Sequence, residues 1–230
     1  MTDETDEIAQ RYARRKAYAD GRYVRLNRDV LAGSQERQRA LVSLLRQQGI
    51  RDLAGIEILE VGCGTGANLV ELMFLGAQPE RLAGNELLPD RLAQARSRLP
   101  QSVRLHPGNA VELALESGSF DIVYQSVVFS SVLDESLQRD LAAAMWRWTK
   151  PGGGILWYDF IYDNPYNPDV RGVPLRRVRQ LFPAGRIKWK RVTLAPPLAR
   201  RVVRIHPSLY AICNAAPFLR THILCFIEKT

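Results

Sequence analysis

A strand, a glycine-rich turn and a helix follow one another from Gly55 onward, and this succession constrains the fold more than any other part of the chain. Ile56 to Val61 is apolar enough for a buried strand, and Ala67 to Gly76 has the spacing of a helix. Glycines in between permit a turn too tight for side chains, and the helix offers unpaired N–H groups at its first turn. In open α/β sheets a ligand binds where such a strand ends. The glycines of the turn are Gly62, Gly64 and Gly66.

The glycine spacing and one acidic residue indicate the kind of ligand. The dinucleotide fingerprint requires G-x-G-x-x-G, whereas this turn reads G-x-G-x-G and continues with Ala67. Glu60 ends the strand just before the turn, where a carboxylate suits a cationic or amino-bearing ligand better than a pyrophosphate. The stretch Glu-Val-Gly-Cys-Gly-Thr-Gly closely resembles motif I of the class I S-adenosylmethionine (SAM)-dependent methyltransferases.

Further blocks extend the resemblance over residues 50–162. Glu86 ends the next predicted strand, about 20 residues after the turn, where an acid accepts hydrogen bonds from both ribose hydroxyls. Phe120 to Gln125 resembles the family's fourth strand, and the Lys-Pro-Gly-Gly that begins at Lys150 resembles its connection from a helix to the fifth strand.

The resemblance implies a Rossmann-like α/β fold. We expect a seven-stranded sheet with helices on both faces and an antiparallel last strand, in which strands six and seven form a hairpin. Residues 1–49 would form an N-terminal tail and helical lid, and residues 50–230 the methyltransferase domain, in a single domain overall. Within the lid, residues 1–9 are expected to be disordered, and helices are expected from Ile8 to Tyr18 and from Ser34 to Gln48. Tyr12, Arg15 and Tyr23 would close this lid over the cofactor, although a packing role explains them equally well.

The resemblance also implies SAM as the methyl donor and S-adenosylhomocysteine as the product. Glu86 would bind the ribose and Leu87 would lie against the adenine. Asn109 stands where the family usually has an acid, and its amide oxygen still accepts a hydrogen bond from the adenine amino group. The implied cofactor-binding residues are Glu60, Gly62, Cys63, Gly64, Gly66, Asn68, Glu86, Leu87, Asn109, Ala110 and Gln125.

Candidates for acceptor binding and catalysis follow strands four and five. Strand four ends in Gln125 and hydroxyl side chains, where many relatives carry an acid or a histidine, so neither a strong base nor a metal-binding acid is evident. After strand five, Asp159 is a candidate general base for a hydroxyl substrate, or it pairs with Arg171 and fixes the loop. The catalytic candidates are Asp159, Tyr158 and His206, and the substrate-binding candidates are Ser126, Phe129, Asn164 and Arg171; His222 is a further histidine of this region.

The net charge of +8 is unevenly distributed. No Asp or Glu occurs from Val170 to Ile227, and this segment holds 12 Lys and Arg residues, so the rest of the chain carries 8 − 12 = −4. We interpret it as a positive surface, which indicates an anionic partner such as a phosphate, a nucleic acid or lipid headgroups, although an arginine-rich solvated face has the same composition. Pro196 to Ala216 mixes arginine with aliphatic residues, which fits either membrane docking or a helical cover on the core.

Composition favours the cytoplasm. No apolar run reaches the roughly 18 to 20 residues of a membrane span, and the acidic N-terminus has the wrong sign for a signal peptide. The three cysteines show no metal-ligand spacing and fit a reducing compartment. We therefore expect a cytoplasmic protein, with peripheral contact at the inner membrane surface as an option. The oligomeric state is not indicated.

The sequence predicts a metal-independent, SAM-dependent methyltransferase that O-methylates a small molecule or a sugar or glycan, including one linked to a lipid or phosphate. An RNA methyltransferase is an alternative, because the basic segment could contact a phosphate backbone. Against it, the segment has few interleaved aromatics, and Asp163-Asn164-Pro165-Tyr166 only partly matches the family's Asn/Asp-Pro-Pro-Tyr signature. A partner subunit that binds SAM without catalysis is a second alternative.

Overall fold

A seven-stranded sheet forms the centre of the computed structural model, which describes residues 4–17, 21, 24–165 and 167–230. The strands are β1 (Ile58–Val61), β2 (Leu82–Glu86), β3 (Arg104–Pro107), β4 (Phe120–Ser126), β5 (Thr149–Phe160), β6 (Arg186–Leu194) and β7 (Arg220–Glu228). Their order in the sheet is β3-β2-β1-β4-β5-β7-β6. The first five strands are parallel, and β7 runs antiparallel to both β5 and β6. The predicted fold class and terminal antiparallel hairpin are confirmed.

Helices cover both faces of the sheet. They are α1 (Glu4–Ala17), α2 (Arg28–Gln47), α3 (Ala67–Phe74), α4 (Pro89–Arg98), α5 (Glu135–Trp148), α6 (Leu175–Leu181), α7 (Pro196–Ile205) and α8 (Ser208–Asn214). On one face α2, α3 and α4 bury Leu44, Leu69 and Ala95 against the strands. On the other face α5 and α6 bury Trp148 and Val178. Each face therefore has its own apolar core.

The alternation of side chains along β5 decides which residues meet which core. Successive side chains of a strand point to opposite faces. Leu156 and Tyr158 accordingly pack with the core of the α2 face. Ile155 and Trp157 pack with the core of the α5 face. Asp159 follows the same alternation, so it and Tyr158 lie on opposite faces although they are neighbours in the chain.

The N-terminal segment is more ordered than its sequence suggested. We expected residues 1–9 to be disordered, but α1 already begins at Glu4. Acidic residues in its first turn favour the helix N-terminus electrostatically. Arg11 pairs with Glu4 at 2.5 Å and with Glu7 at 3.3 Å. Glu4 also accepts a hydrogen bond from the backbone N–H of Leu133 at 2.9 Å, which ties the helix to the domain.

The second helix begins earlier than predicted. Ser34 was the expected N-cap, but α2 starts at Arg28 after Asn27. The Ser34 hydroxyl instead donates to the carbonyl of Val30 at 2.8 Å, inside the helix. Of the predicted lid residues, Tyr23 and the side chain of Arg15 lie outside the part of the chain that is described.

The basic segment does not form one surface. α6 packs beside α5 on one face of the sheet, whereas α7 and α8 lie beside α2 and β6 at the other. A third apolar cluster holds α7 and α8 in place. Its buried members are Leu194, Ala199, Val202, Val203 and Tyr210. Within the described part of the chain, every helix falls short of the length and apolarity needed to cross a membrane.

Candidate functional site

A cavity of about 130 Å³ lies at the carboxyl ends of β1, β2 and β4. The strand ends contribute Val61, Glu86 and Ser126 to its wall, and α1 covers it with Ile8 and Tyr12. A larger and more open groove of about 600 Å³ runs along the outer face of α2. Only the smaller cavity occupies the position at which open α/β sheets bind ligands.

The glycine turn forms one wall of this cavity. Its three glycines all have positive φ, between 59° and 79°, a conformation in which other residues are strained. A Cβ atom at Gly62 would lie 2.6 Å from a methyl group of Val128, so the turn also packs too closely for a side chain. Cys63 is buried in the core, and its N–H donates to the carbonyl of Asn85 at 2.8 Å. The predicted tight turn is confirmed, and it is held against β2.

Glu86 lies in the cavity wall beside the turn and is only 4% exposed. One carboxylate oxygen accepts from the N–H of Gly64 at 2.8 Å, and the other accepts from the N–H of Leu88 at 2.9 Å. A carboxylate has about four lone-pair sites, so two more hydroxyl donors can bind. Ribose binding by Glu86 requires these two acceptor sites, and it stays a prediction.

The adjoining part of the wall contains three more of the predicted residues. Leu87, Asn109 and Ala110 line the cavity. The amide oxygen of Asn109 accepts from the N–H of Val111 at 3.2 Å, so it also caps the short turn that follows. Its remaining lone pair is available to a ligand.

Glu60 is fully buried just before the glycine turn. One of its carboxylate oxygens accepts from the side-chain amide of Asn68 at 2.6 Å. The other oxygen is buried without a hydrogen-bond partner. Burial raises the pKa of this carboxyl group to about 8, against the smaller opposing effects of Asn68 and Arg37. A buried acceptor without a partner is unusual, and an amino-bearing ligand would satisfy it.

Arg37 is a site residue that the sequence reasoning missed. It projects from α2, and its guanidinium donates to Glu71 at 2.7 Å and to the amide oxygen of Asn68 at 3.0 Å. It also reaches the hydroxyl of Ser126, in the cavity wall, at 3.5 Å. Through Asn68 it joins the same network as Glu60. Arg37 therefore places a permanent positive charge beside the cavity.

Tyr158 extends this network toward β6 and β7. Its ring lies 5.3 Å from the Arg37 guanidinium and stacks on His222 with centroids 4.9 Å apart. Its hydroxyl hydrogen-bonds to that of Thr193 at 2.9 Å. Burial raises the pKa of Tyr158 to about 12, and burial together with Arg37 lowers the pKa of His222 to about 4. At pH 7 the phenol is protonated and the imidazole is neutral. We call Arg37, Ser126, Tyr158, Thr193 and His222 the Arg37 cluster.

Two β-branched residues beside Tyr158 have strained backbones. Val127 has φ +54° and Thr193 has φ +64°. Val127 lines the cavity, and its N–H donates to the carbonyl of Tyr158 at 2.8 Å. The N–H of Thr193 donates to Glu36 of α2 at 3.0 Å. Such conformations persist only where the surroundings enforce them, and they concentrate at functional sites.

The structure places the candidate base Asp159 on the other face of the sheet. It is fully buried, and its two carboxylate oxygens accept from the N–H groups of Ser130 at 3.2 Å and Phe160 at 3.0 Å. Burial raises its pKa to about 7. These contacts fix the loop after β4. His206 is exposed between α7 and α8, where its Nδ1 accepts from the N–H of Ser208 at 3.2 Å.

Two further predicted residues also lie in the protein interior. Gln125 is fully buried; its amide oxygen accepts from the N–H of Val128 at 3.1 Å, and its NH₂ donates to the carbonyl of Tyr158 at 3.4 Å. Phe129 is fully buried, with its ring centroid 4.4 Å from that of Trp157. Both residues hold the loop after β4 in position.

The loop after β5 carries the last two predicted contacts on its exposed surface. Asn164 and Arg171 are exposed, and the Arg171 guanidinium lies 3.9 Å from Glu135. Asp163 accepts from the N–H of Gly172 at 2.8 Å and closes the loop. The alternative in which Asp159 pairs with Arg171 is not observed, because Asp159 accepts from the N–H of Ser130 instead.

Comparison with known proteins gives a consistent result. Residues 58–153 match the family described as a methyltransferase domain. The chain is 30% identical over 122 residues to a magnesium-protoporphyrin O-methyltransferase of Rhodobacter capsulatus, a match that covers 51% of this chain and 50% of that protein. The chain thus matches about half the length of this curated relative.

Solved structures share the fold at low sequence identity. A SAM-dependent methyltransferase of Thermotoga maritima has a TM-score of 0.66 at 16% identity, covering 97% of this chain and 99% of the other. A geranyl diphosphate C-methyltransferase of Streptomyces coelicolor, in complex with S-adenosyl-L-homocysteine, has a TM-score of 0.61 at 12% identity, covering 84% and 77%. At these identities the likeness shows the fold.

Proposed function

We propose that this chain, which belongs to the class I SAM-dependent methyltransferases, transfers the methyl group of SAM to an oxygen atom of a small acceptor. The observation that carries the proposal is the cavity at the strand ends, where Gly62 and Glu86 form adjoining parts of the wall. Glu60, two residues before Gly62, keeps an unpartnered oxygen. The curated relative is an O-methyltransferase, which supports oxygen as the methylated atom.

The residues around the cavity fit SAM along its length. Glu86 would accept hydrogen bonds from the ribose hydroxyls, and Leu87 and Asn109 would contact the adenine. The free oxygen of Glu60 would accept from the amino group of the methionine moiety, and Arg37 would bind its carboxylate. When bound, SAM supplies an electrophilic methyl group on a sulfonium.

The lid must move before a ligand of this size enters. Ligand cavities in proteins usually measure about 300 to 1,000 Å³. The described cavity is about 130 Å³ because Thr5, Ile8 and Tyr12 of α1 close it from above. The Tyr12 ring also lies 5.0 Å from the guanidinium of Arg91 on α4. We infer that α1 swings outward to admit SAM and returns over it, which excludes water from the reacting atoms.

The acceptor would bind on the side of the Arg37 cluster. Ser126 belongs both to this cluster and to the cavity wall, so the cluster adjoins the methionine end of the SAM site. The hydroxyls of Ser126 and Thr193 would orient the acceptor. The imidazole of His222, whose pKa is lowered to about 4, would take up the acceptor's proton only as the new O–CH₃ bond forms and makes that oxygen acidic. Holding the acceptor oxygen and the methyl group in line supplies much of the rate enhancement, so a weak base is sufficient.

We infer further that the acceptor is anionic, with a sugar or glycan on a phosphate or lipid carrier as the preferred class. The acid-free segment from Val170 to Ile227, with its 12 Lys and Arg residues, supports a negative group on the acceptor. An RNA acceptor is less favoured, because the basic residues of that segment are divided between two faces of the sheet.

The proposal is tested by binding and transfer measurements on the full chain. SAM binding is measured by calorimetry, and labelled methyl transfer from SAM is followed into a cell extract separated into RNA, protein, lipid-linked glycan and small-molecule fractions. Label in the glycan or small-molecule fraction, lost in Glu86→Ala, is the expected result. Label that is removed by nuclease would show that the acceptor is RNA. SAM binding without label in any fraction would favour a non-catalytic partner subunit, and absence of SAM binding would refute the proposal.

A further inference from the structure

We propose that α7 and α8 form a docking surface for membranes containing anionic lipids. The surface consists of the exposed side chains of residues 196–219, which form α7, α8 and the short turn that leads into β7. Its composition, its anchoring and its position relative to the Arg37 cluster are three separate observations that support this assignment.

The exposed side of the docking surface combines cationic and apolar groups. Arg201 and Arg204 are exposed and Arg200 is half-buried, and residues 196–219 contain no Asp or Glu. In the same segment, Ile205 is 78% exposed, Ile212 is 66% exposed and Phe218 is 74% exposed. Large apolar side chains exposed next to arginines are the composition of helices that lie in a membrane interface. The charge complements anionic headgroups and the apolar groups suit the acyl boundary.

The opposite side of the same helices is fixed in the protein. Ala199, Val202 and Val203 of α7 are buried with Tyr210 of α8. The exposed residues of α7 therefore cannot turn inward to shelter in the core. If the helices served only to cover the core, the buried side would be sufficient. That role does not explain why Ile205, Ile212 and Phe218 are exposed.

The position of the surface links it to the active-site region. The buried cluster beneath α7 and α8 also contacts Ala32 of α2, and a Cβ at Gly33 would lie 3.4 Å from the Tyr210 hydroxyl. Arg37 follows one turn later on the same helix. Thr193 of the Arg37 cluster lies at the end of β6, immediately before α7. A membrane bound at this surface would lie next to the acceptor side of the site.

Vesicle binding by the full chain tests the docking surface directly and needs neither SAM nor an acceptor, so its outcome is independent of the proposed activity. Sedimentation is measured with vesicles of phosphatidylcholine alone and with equal parts of phosphatidylcholine and phosphatidylglycerol. Each arginine close to an anionic surface strengthens binding about fivefold. Replacing three arginines by glutamate should therefore weaken partition onto the anionic vesicles by at least about 100-fold.

Two variants and a matched control separate the contributions. The arginine variant is Arg200→Glu, Arg201→Glu and Arg204→Glu, and the apolar variant is Ile212→Ser with Phe218→Ser. The control places the same number of reversals on exposed arginines of other helices, at Arg96, Arg139 and Arg176. We expect the arginine variant to lose both its binding to anionic vesicles and the salt dependence of that binding. The apolar variant should bind about tenfold more weakly but keep the salt dependence. The control should bind nearly as well as wild type.

Several results would overturn the proposal. If the arginine variant and the control lose binding equally, the net charge of the protein determines binding and this surface does not. If the protein binds both kinds of vesicle equally, anionic lipid is not required. Binding of a polyuridine probe that depends on the same arginines, without vesicle binding, would assign the surface to nucleic acid. A dimer in light scattering that Phe218→Ser dissociates would assign it to self-association. Thermal unfolding of each variant verifies that the fold is retained.

Discussion

If Glu60 binds the amino group of SAM as proposed, its carboxyl group, one oxygen of which has no hydrogen-bond partner, should make SAM binding depend on pH. In the free protein its pKa is about 8, because burial disfavours the charged form. If its free oxygen accepts from the SAM amino group, the ammonium beside it favours the carboxylate and lowers this pKa on binding. Glu60 then releases a proton as SAM binds.

The size of the effect follows from the pKa. At pH 7 a group with a pKa of about 8 is about 90% protonated, so binding should release up to about 0.9 proton. By linkage, affinity then rises with pH, and the slope equals the number of protons released. Between pH 6 and 7 the dissociation constant for SAM should fall close to tenfold. The measurements are made below pH 7.5, because the free α-amino group of SAM itself titrates at about pH 8.

Calorimetry in pairs of buffers with different ionisation enthalpies measures the released protons directly. In Glu60→Gln the carboxyl group is absent, so both the proton release and the rise of affinity with pH should disappear. The matched control is Glu57→Gln, at the residue immediately before the same strand. Glu57 pairs with Arg81 at 2.7 Å and with Arg104 at 2.9 Å and should leave the pH dependence intact.

Two outcomes would refute this reasoning. A wild-type protein that binds SAM without releasing protons would mean that Glu60 does not change its charge. Proton release that persists in Glu60→Gln would mean that another group supplies it. In either case the amino group of SAM would not lie against the free oxygen of Glu60.

Three further predictions concern the ribose acceptor, the lid and the candidate base. Glu86→Ala should weaken SAM binding about 100-fold, since two hydrogen bonds to a charged group contribute about 1.5 kcal/mol each. The control Glu116→Ala, in the exposed loop before β4, should leave SAM affinity unchanged, and equal affinities of Glu86→Ala and wild type by calorimetry would contradict the ribose role. Arg11→Ala removes the hydrogen bond from α1 to the Ser131 carbonyl, and it removes the ion pair that positions Glu4, the residue of α1 that accepts from the Leu133 N–H. Stopped-flow rates of SAM association and dissociation should therefore both rise, and unchanged rates would show that α1 does not gate the cavity. Asp159→Asn should lower the free energy of unfolding by about 1 to 3 kcal/mol, because the carboxylate accepts two buried backbone N–H groups, and it should leave SAM affinity within about twofold of wild type. Full stability combined with a large loss of kcat would instead indicate that Asp159 is the general base.

The sequence predicted those parts of the fold that depend on local patterns. Apolar runs bounded by glycines identified the parallel strands, and the spacing from the turn to Glu86 placed an acid in the cavity wall. These features follow from short-range chemistry, because a buried strand, a left-handed glycine and a strand end are each recognisable within a few residues. Strand order and the antiparallel end came from the family resemblance.

The Arg37 cluster, which is the proposed acceptor side, was harder to predict because its residues are distant in the chain. Arg37 reaches Asn68 across 31 positions and Ser126 across 89. No local pattern on α2 distinguishes Arg37 from the other arginines of that helix. Likewise, the sequence makes Asp159 and Tyr158 equally plausible as catalytic residues. Only the alternation of side chains along β5, relative to the two cores, assigns Tyr158 to the face of the Arg37 cluster.

The division at residue 49 therefore does not separate a lid from a self-sufficient catalytic domain. Leu41, Leu44 and Leu45 of α2 are buried in the core of the sheet. Arg37 is the cation that compensates Glu71, which is itself nearly buried. Without residues 1–49, an apolar face of the sheet would be exposed and a buried carboxylate would lose its closest cationic partner, which costs several kcal/mol in similar settings. α2 is thus part of both the core and the candidate site, and α1 is the element for which we propose an opening movement.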